Sequence, residues 1–292
     1  MKALNEKAML VKLTMRRANL TRRDQVAETM IQMQLDDASL VVNSKLFRDK
    51  ANPVNTIMSK ASEVYTFHKN NTLPYMDKGP RILPIAQYED YTSKMRERIQ
   101  HIDSLIQRHM ANYDAYVSQD IAYRSQNKSQ ARAKVEDYPT ANEFATRMGF
   151  DLRFMPLPDR RHFLFDLDEA DLQAFEESMS IAERTARDDA VKRMLVPLQH
   201  LVEKLNTPIG AEGHIFRDSA VENVVEGIEL AKKLCMDESP EIQSLTKTLN
   251  EEVSKYVTNL SWLRESPPVR EQAAKKLSDI AAQMGAFMGV TQ

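Results

Sequence analysis

The chain has 292 residues, of which 42% are hydrophobic and 28% charged, with a net charge of −2. This composition is typical of a folded protein and excludes a mainly disordered chain. One cysteine excludes a disulfide framework and a multi-cysteine zinc site, and it suits a reducing cytoplasm. The sequence has no apolar run of about eighteen residues, and its charged, interrupted start does not resemble a secretory signal, so we expect no membrane contact.

The charges are unevenly distributed along the chain. Residues 1–164 carry 26 Lys and Arg against 19 Asp and Glu, whereas residues 165–292 carry 14 against 23. Cations together with aromatic rings are what a single strand of nucleic acid requires. We therefore predict a basic, aromatic-rich nucleic-acid-binding region over residues 1–167. The acidic helical region over residues 168–292 is the predicted surface for self-association or partner docking.

The N-terminal segment is strongly basic. Residues 9–15 alternate between apolar and polar side chains, which predicts a short half-buried strand. Seven cations against one acid occur in the first 23 residues, which favours an arm that contacts phosphates. Solvated surface charge is the alternative. Thr21 is the predicted N-cap of the helix that follows.

Two helices are predicted between residues 25 and 70. Apolar residues spaced three or four apart define one face of each: Val26, Met30, Met33 and Leu40 in the first, and Val54, Ile57, Met58, Ala61, Val64 and Tyr65 in the second. Pro53 suits the first position of the second helix. Residues 71–84 contain breakers and are predicted to be an irregular link that carries Arg81.

Residues 85–134 contain neither Gly nor Pro and carry a continuous apolar stripe. We predict one long central helix, in which forty or more residues at a rise of 1.5 Å each make a rod of about 60 Å. Its last part, residues 122–134, holds four cations and no acid. Cations there suit the C-terminal end of a helix dipole, and they equally suit a tip that meets a phosphate backbone.

Two further alternating segments, 150–156 and 162–167, predict a β-hairpin that the strand at 9–15 can join. The aromatic rings of these segments either pack in the core or form an exposed platform on which bases stack. From residue 168 the pattern is helical, with helices at 168–206, 216–236, 239–262 and 267–288. The apolar tail, 284–292, docks either on its own chain or on a neighbouring protomer. The predicted fold is therefore mainly α, with a long central helix, a C-terminal helical bundle and a small antiparallel β element.

Catalytic patterns are absent from the sequence. It has no glycine-rich phosphate loop and no nucleophile elbow, and His101 and His109 lie two helical turns apart, which makes a poor metal pair. We therefore predict a protein that is not an enzyme and uses no cofactor or metal.

Several short patterns occur in a characteristic order: a basic N-terminal strand, Gly79-Pro80-Arg81 before a Tyr-rich helix, Tyr138-Pro139, and Phe154-Met155-Pro156 before Phe163 and Phe165. In this order, over residues 9–170, the chain resembles the single-stranded-DNA-binding RNA polymerase cofactors of lytic podoviruses, the Drc type. The resemblance implies a helical fold, sequence-independent binding of single-stranded DNA, and recruitment of a phage RNA polymerase to melted promoters in the host cytoplasm.

The predicted nucleic-acid-binding residues are the cations of the arm, of the link and of the helix tip, with one ring that stacks on a base: Lys12, Arg16, Arg17, Arg22, Arg23, Arg81, Tyr123, Arg124, Lys128, Arg132 and Lys134. We expect a homo-oligomer. Two alternatives remain open: a helical adaptor that docks an ATPase or polymerase without binding DNA, and a compactor of double-stranded DNA.

Overall fold

A computed structural model describes residues 4–75, 79–126, 133–159, 168–209, 216–234, 239–257 and 260–289. These residues form a mainly α-helical fold with a small antiparallel sheet, which confirms the predicted fold class. The α-helices are α1 (Leu4–Lys7), α2 (Gln25–Leu35), α3 (Pro53–Asn70), α4 (Tyr88–Met110), α5 (Tyr113–Gln126), α6 (Ala141–Arg147), α7 (Glu169–Asn206), α8 (Ser219–Leu234), α9 (Pro240–Val257), α10 (Ser261–Glu265) and α11 (Pro267–Gly289). The strands are β1 (Ala8–Arg16), β2 (Thr21–Arg23), β3 (Asn43–Lys45), β4 (Leu73–Pro74), β5 (Arg81–Pro84) and β6 (Gly149–Met155).

Strand β1 lies inside a four-stranded sheet of order β4-β5-β1-β6. It runs antiparallel to β5, with Ala8 opposite Pro84 and Val11 opposite Arg81. The predicted strands at 9–15 and 150–156 are therefore confirmed, whereas the predicted strand at 162–167 lies outside the described residues. The prediction that 71–84 is an irregular link was wrong for β4 and β5, because Ile82 and Leu83 are fully buried and draw this segment into the sheet.

The predicted central helix is divided into α4 and α5 by a turn at Ala111 and Asn112. No breaker residue causes this turn. After it, Tyr113 is buried and lies in edge-on contact with Phe47, their ring centroids being 5.8 Å apart. Tertiary packing of this ring therefore accompanies the interruption, which a stripe of apolar residues alone does not reveal.

Two compact units can be distinguished. The helical unit comprises residues 1–12, 69–89 and 154–292, and the basic unit comprises residues 13–68 and 90–153. The basic unit carries 18 Lys and Arg against 15 Asp and Glu, and the helical unit carries 22 against 27. This partition differs from the predicted division at residue 167, although the contrast in charge between the two parts has the same sign.

The core of the helical unit is formed by α7, α8, α9 and α11. The predicted helices after residue 168 agree with these elements within a few residues. Helix α11 continues to Gly289, and its Met284 is buried in this core while Phe287 packs against it. Of the two alternatives for the apolar tail, the part up to residue 289 thus docks on its own chain.

Candidate nucleic-acid interface

The end of β1 presents two adjacent arginines. The strand exposes Lys12, Thr14 and Arg16 on one face, and Arg17 follows directly after it. The Arg16 guanidinium lies over the backbone of Gly149, where an added Cβ would be 2.7 Å from its Nη2. Arg17 Nη2 donates to Ser62 Oγ on α3 at 3.4 Å. Among the described residues neither arginine has a carboxylate within 4.0 Å, so both charges are available to an anion.

An exposed tyrosine lies on α3, one helical turn beyond the Ser62 that Arg17 contacts. Tyr65 follows Ser62 by three positions, so the two side chains are neighbours on the helix surface. Tyr65 is 44% exposed, and its ring lies against the buried His68, the ring centroids being 6.4 Å apart. His68 is in turn fixed by a 2.7 Å hydrogen bond between its Nδ1 and the Tyr91 hydroxyl. Tyr65 therefore presents one supported ring to solvent, in the manner of a base-stacking platform.

The ring layer behind Tyr65 continues inward. Phe67 stacks on Tyr91 with 5.9 Å between ring centroids, and Arg98 lies over Phe67 at 4.1 Å from its centroid. Such stacked rings with an overlying guanidinium are held by both apolar contact and cation–π attraction. The platform under Tyr65 is thus well packed.

The second arginine pair of the arm is engaged in ion pairs. Arg23 Nε donates to Glu28 Oε2 at 2.8 Å, and this interaction raises the pKa of Arg23 and lowers that of Glu28. Arg22 lies 3.5 Å from Asp137 and 3.9 Å from Asp24. Asp24 also caps α2 by accepting from Ala27 N, so the prediction that Thr21 is the N-cap was wrong. With these three carboxylates as partners, the two arginines hold the β2–β3 ribbon in place rather than presenting unpaired charge.

Arg124 is a core residue and does not present a cation to solvent. It is 2% exposed, and its Nε donates to Asp120 at 2.9 Å. Its Nη2 also donates to the Lys45 carbonyl. The prediction that Arg124 contacts phosphate therefore does not fit, because its charge is already neutralised inside the basic unit. The spacing of Asp120 and Arg124, four positions apart on one helix, is a sequence pattern that indicates such a pair.

Members of the two predicted clusters of cations, residues 12–23 and 124–134, lie at the β2–β3 ribbon. The Asp137 carboxylate accepts from the Lys134 backbone at 2.8 Å and lies 3.5 Å from Arg22. On the same ribbon, Lys45 pairs with Thr21 across the two strands. The Lys45 and Lys134 side chains are exposed and have no carboxylate within 4.0 Å among the residues that the structure describes. One residue of each cluster, Arg22 and Lys134, thus lies at the same carboxylate, while residues 127–132 are outside the described part of the chain.

The remaining predicted residues have separate environments. Arg81 is half-buried in the helical unit, where its Nε donates to Thr72 at 2.7 Å, so it acts mainly in the sheet. Lys12 is exposed on β1, and Tyr123 on α5 is 38% exposed. Lys128 and Arg132 lie outside the described residues. Sequence analysis placed Tyr65 in the apolar stripe of α3, and the structure exposes its side chain to solvent.

Within the described part of the chain, no helix is sufficiently long and apolar to cross a membrane. In that same part no cluster of three His, Cys, Asp or Glu side chains is placed to hold a metal ion. No family profile, curated protein or solved structure matches the sequence or the fold.

Proposed function

We propose that the protein binds single-stranded DNA without sequence preference, through a surface of the basic unit centred on Arg16, Arg17 and Tyr65. The observation that carries this proposal is a pair of adjacent arginines without a carboxylate within 4.0 Å among the described residues, of which Arg17 contacts α3 one turn before the exposed, supported ring of Tyr65. Phosphates pair with the arginines, and a base stacks on the tyrosine. Neither contact depends on base identity, because every base has an aromatic face.

The biological role in this proposal is that of a phage transcription cofactor in the host cytoplasm, which recruits an RNA polymerase to locally melted promoters. The support for this part is the ordered set of patterns over residues 9–170 that resembles the Drc-type cofactors. A binder of single strands is suited to that role, because the melted region of a promoter exposes unpaired bases that a duplex conceals.

The double charge reversal Arg16→Glu with Arg17→Glu is expected to weaken binding to fluorescein-labelled oligo(dT). Each phosphate contact on a single strand contributes about 0.7 to the slope of log affinity against log salt concentration. Loss of two contacts should therefore make the slope less steep by about 1.4. Fluorescence anisotropy titrations at several salt concentrations measure this slope directly.

The matched control is Lys232→Glu with Lys233→Glu, an adjacent pair on α8 whose exposed side chains lie in the helical unit. It changes the net charge equally, so it should leave the slope near that of the unsubstituted protein. Equal effects of the two double variants would show that overall charge, and not this surface, governs binding. A folded circular dichroism spectrum is required of both variants.

The adaptor hypothesis remains the second candidate, and one observation favours it: α2 exposes apolar side chains on a surface helix. A gel shift at low salt with single-stranded and duplex oligonucleotides separates the hypotheses. The proposed function predicts a shift with the single strand and a weaker one with duplex. No shift with either favours the adaptor, and equal or stronger binding of duplex favours a compactor of double-stranded DNA.

A further inference from the structure

A cavity of about 320 Å³ lies between α7, α8 and α9 in the helical unit. Its floor is apolar and buried, and it is formed by Val191 and Met194 of α7, Ala231 of α8 and Ile242 of α9. Pockets for small ligands occupy about 300–1,000 Å³. Two turns of a helix about 10 Å across would fill more space than this cavity offers. The cavity therefore suits a small molecule rather than a helix of another protein.

The rim of the cavity is cationic, although the helical unit carries 22 Lys and Arg against 27 Asp and Glu. The exposed Lys232 of α8 and Lys247 of α9 line the cavity, and among the described lining residues there is no acid. Lys232 has no carboxylate within 4.0 Å in the part of the chain that the structure describes. Lys247 lies 3.9 Å from Glu251, and such an exposed pair contributes little. This rim favours a ligand with a negative charge.

A buried hydroxyl group also lines the cavity. Thr246 is 8% exposed, and its Oγ1 lies 3.7 Å from Met194 Sδ. A thioether sulfur is a weak hydrogen-bond acceptor, so this hydroxyl would gain from an oxygen acceptor on a ligand. The amide side chains of Gln243 and Asn250 lie in the same lining. The polar groups of the cavity can therefore donate to a ligand that is rich in acceptors, as a carboxylate is.

The apolar floor extends beyond the cavity toward α11. A narrow space next to it shares Val191, Met194 and Ile242 with the cavity and is also lined by Met284 and Phe287. Methionine side chains are unbranched and adapt their shape to what they pack against. This continuous apolar floor is suited to an alkyl chain.

We propose that the cavity binds a medium-chain fatty acid, a single alkyl chain with one carboxylate. The chain covers the apolar floor, the carboxylate pairs with the ammonium groups of Lys232 and Lys247, and the Thr246 hydroxyl provides a further donor. A phospholipid has two chains and a headgroup, which a cavity of this size does not accommodate. The proposal does not rest on DNA binding, because every residue that it uses lies in the helical unit.

Isothermal titration calorimetry of the full chain with octanoate, decanoate and dodecanoate, each below its micellar concentration, tests the proposal. Burial of each further methylene should raise the affinity about two- to fourfold. Decanol has the same chain as decanoate but no charge, and we expect it to bind about tenfold more weakly. Absence of decanoate and dodecanoate binding would overturn the proposal. Decanol binding as tight as that of decanoate would overturn the role of the cationic rim.

The variant Lys232→Glu tests the site, with Lys233→Glu as the matched control. Both lysines are exposed and adjacent on α8, but the cavity lining includes only Lys232 of the two. Reversal at position 232 replaces an attraction by a repulsion and should lower the decanoate affinity about tenfold. Lys233→Glu should cause a much smaller loss, and both variants should keep a folded circular dichroism spectrum.

Equal losses of decanoate affinity in the two variants would show a general attraction of charge and would overturn this site. The calorimetric titrations contain no DNA, and the oligo(dT) titrations contain no fatty acid. Failure of the fatty-acid proposal is therefore distinguishable from failure of the proposed function.

Discussion

Replacing Asp120 by alanine is expected to destabilise the protein by about 3–5 kcal/mol, the range for breaking a buried ion pair from one side. The carboxylate is fully buried, and it accepts from Arg124 Nε at 2.9 Å and from the Tyr138 hydroxyl at 2.6 Å. It also accepts from the backbone N–H groups of Phe47 and Arg48, at 2.9 and 2.6 Å. Removal leaves all four donors without this acceptor.

The strained backbone at Phe47 is a second reason to expect that Asp120→Ala lowers the stability of the protein. Its φ is 50°, a left-handed conformation that non-glycine residues adopt at a cost. The Phe47 ring packs edge-on against Tyr138 at 5.1 Å between centroids, and its backbone N–H is held by Asp120. Loss of the carboxylate therefore also removes a contact that stabilises this conformation.

Urea unfolding monitored by circular dichroism measures the effect of Asp120→Ala. The matched control is Asp90→Ala, which removes an exposed ion pair with Lys94 four positions away on α4. An exposed pair is worth about 0–1 kcal/mol, so the control should unfold near the unsubstituted protein. Equal unfolding midpoints for the two variants would contradict the assigned role of Asp120.

The same carboxylate gives the unsubstituted protein a sensitivity to acid. Burial by itself raises the pKa of Asp120, but hydrogen bonds from Tyr138, Arg124 and the Arg48 backbone outweigh it and hold the pKa below the ordinary 3.8. A group with a lowered pKa contributes stability above its unfolded-state pKa and loses it as pH falls through the folded-state value. The urea midpoint of Asp120→Asn should therefore fall less below pH 3.8 than that of the unsubstituted protein.

Replacing Arg270 by methionine is expected to destabilise the protein by about 2–4 kcal/mol, since hydrogen bonds to charged groups are the strong ones and their loss leaves buried acceptors unsatisfied. Arg270 on α11 is buried, and burial lowers its pKa. Its Nε donates to the Leu205 carbonyl at 2.7 Å, and its Nη2 donates to the Thr207 carbonyl at 2.9 Å and to the Lys204 carbonyl.

These acceptors lie at the C-terminal end of α7, where the last carbonyls of a helix lack partners within the helix and carry partial negative charge. One planar guanidinium therefore caps a 38-residue helix from a neighbouring one. Arg270→Lys should recover only part of the stability, because an ammonium group keeps the charge but lacks the fork geometry that reaches several acceptors.

Trp262, the one tryptophan of the chain, lies on α10 next to this site. Its fluorescence reports unfolding there. Lys275→Met is the matched control, because it removes an exposed cation from the same helix. We expect a clear loss of unfolding free energy for Arg270→Met, a smaller loss for Arg270→Lys and little change for Lys275→Met. A loss for Lys275→Met as large as that for Arg270→Met would indicate that any cation on α11 has this effect.

Helices could be predicted from the sequence where the signals lie within the helix itself, namely the spacing of apolar residues and the residues that cap or begin the helix. The proline-initiated helices α3, α9 and α11 begin where Pro53, Pro240 and Pro267 occur. Thr140 caps α6 as its spacing to Glu143 indicates. The division between α4 and α5 was not predictable in this way, because the apolar stripe continues on both sides of the turn. The short strands β4 and β5 were missed because their stability comes from pairing with distant residues.

At the candidate site, the spacing of apolar residues along the sequence did not predict which side chains are buried and which are exposed. Met30 and Tyr65 both belong to apolar stripes predicted from the sequence, yet both side chains face solvent. Spacing identifies a face of a helix but not what that face meets. The opposite error occurred at Arg124, where a cation in a basic segment is buried because Asp120 lies one turn before it. Contact of Arg16 and Arg17 with phosphate stays a prediction, and neither arginine has a carboxylate within 4.0 Å among the described residues.

Ultraviolet cross-linking of the unsubstituted protein to oligo(dT), followed by trypsin and mass spectrometry, tests the central claim most directly. A thymine stacked on Tyr65 lies close enough to form a photoadduct with that ring. We predict that the main nucleotide-bearing peptide is the tryptic fragment 61–69, and that Tyr65→Ala removes the adduct while Tyr65→Phe retains it. A protein that binds oligo(dT) but forms its adducts only within residues 168–292 would contradict the account.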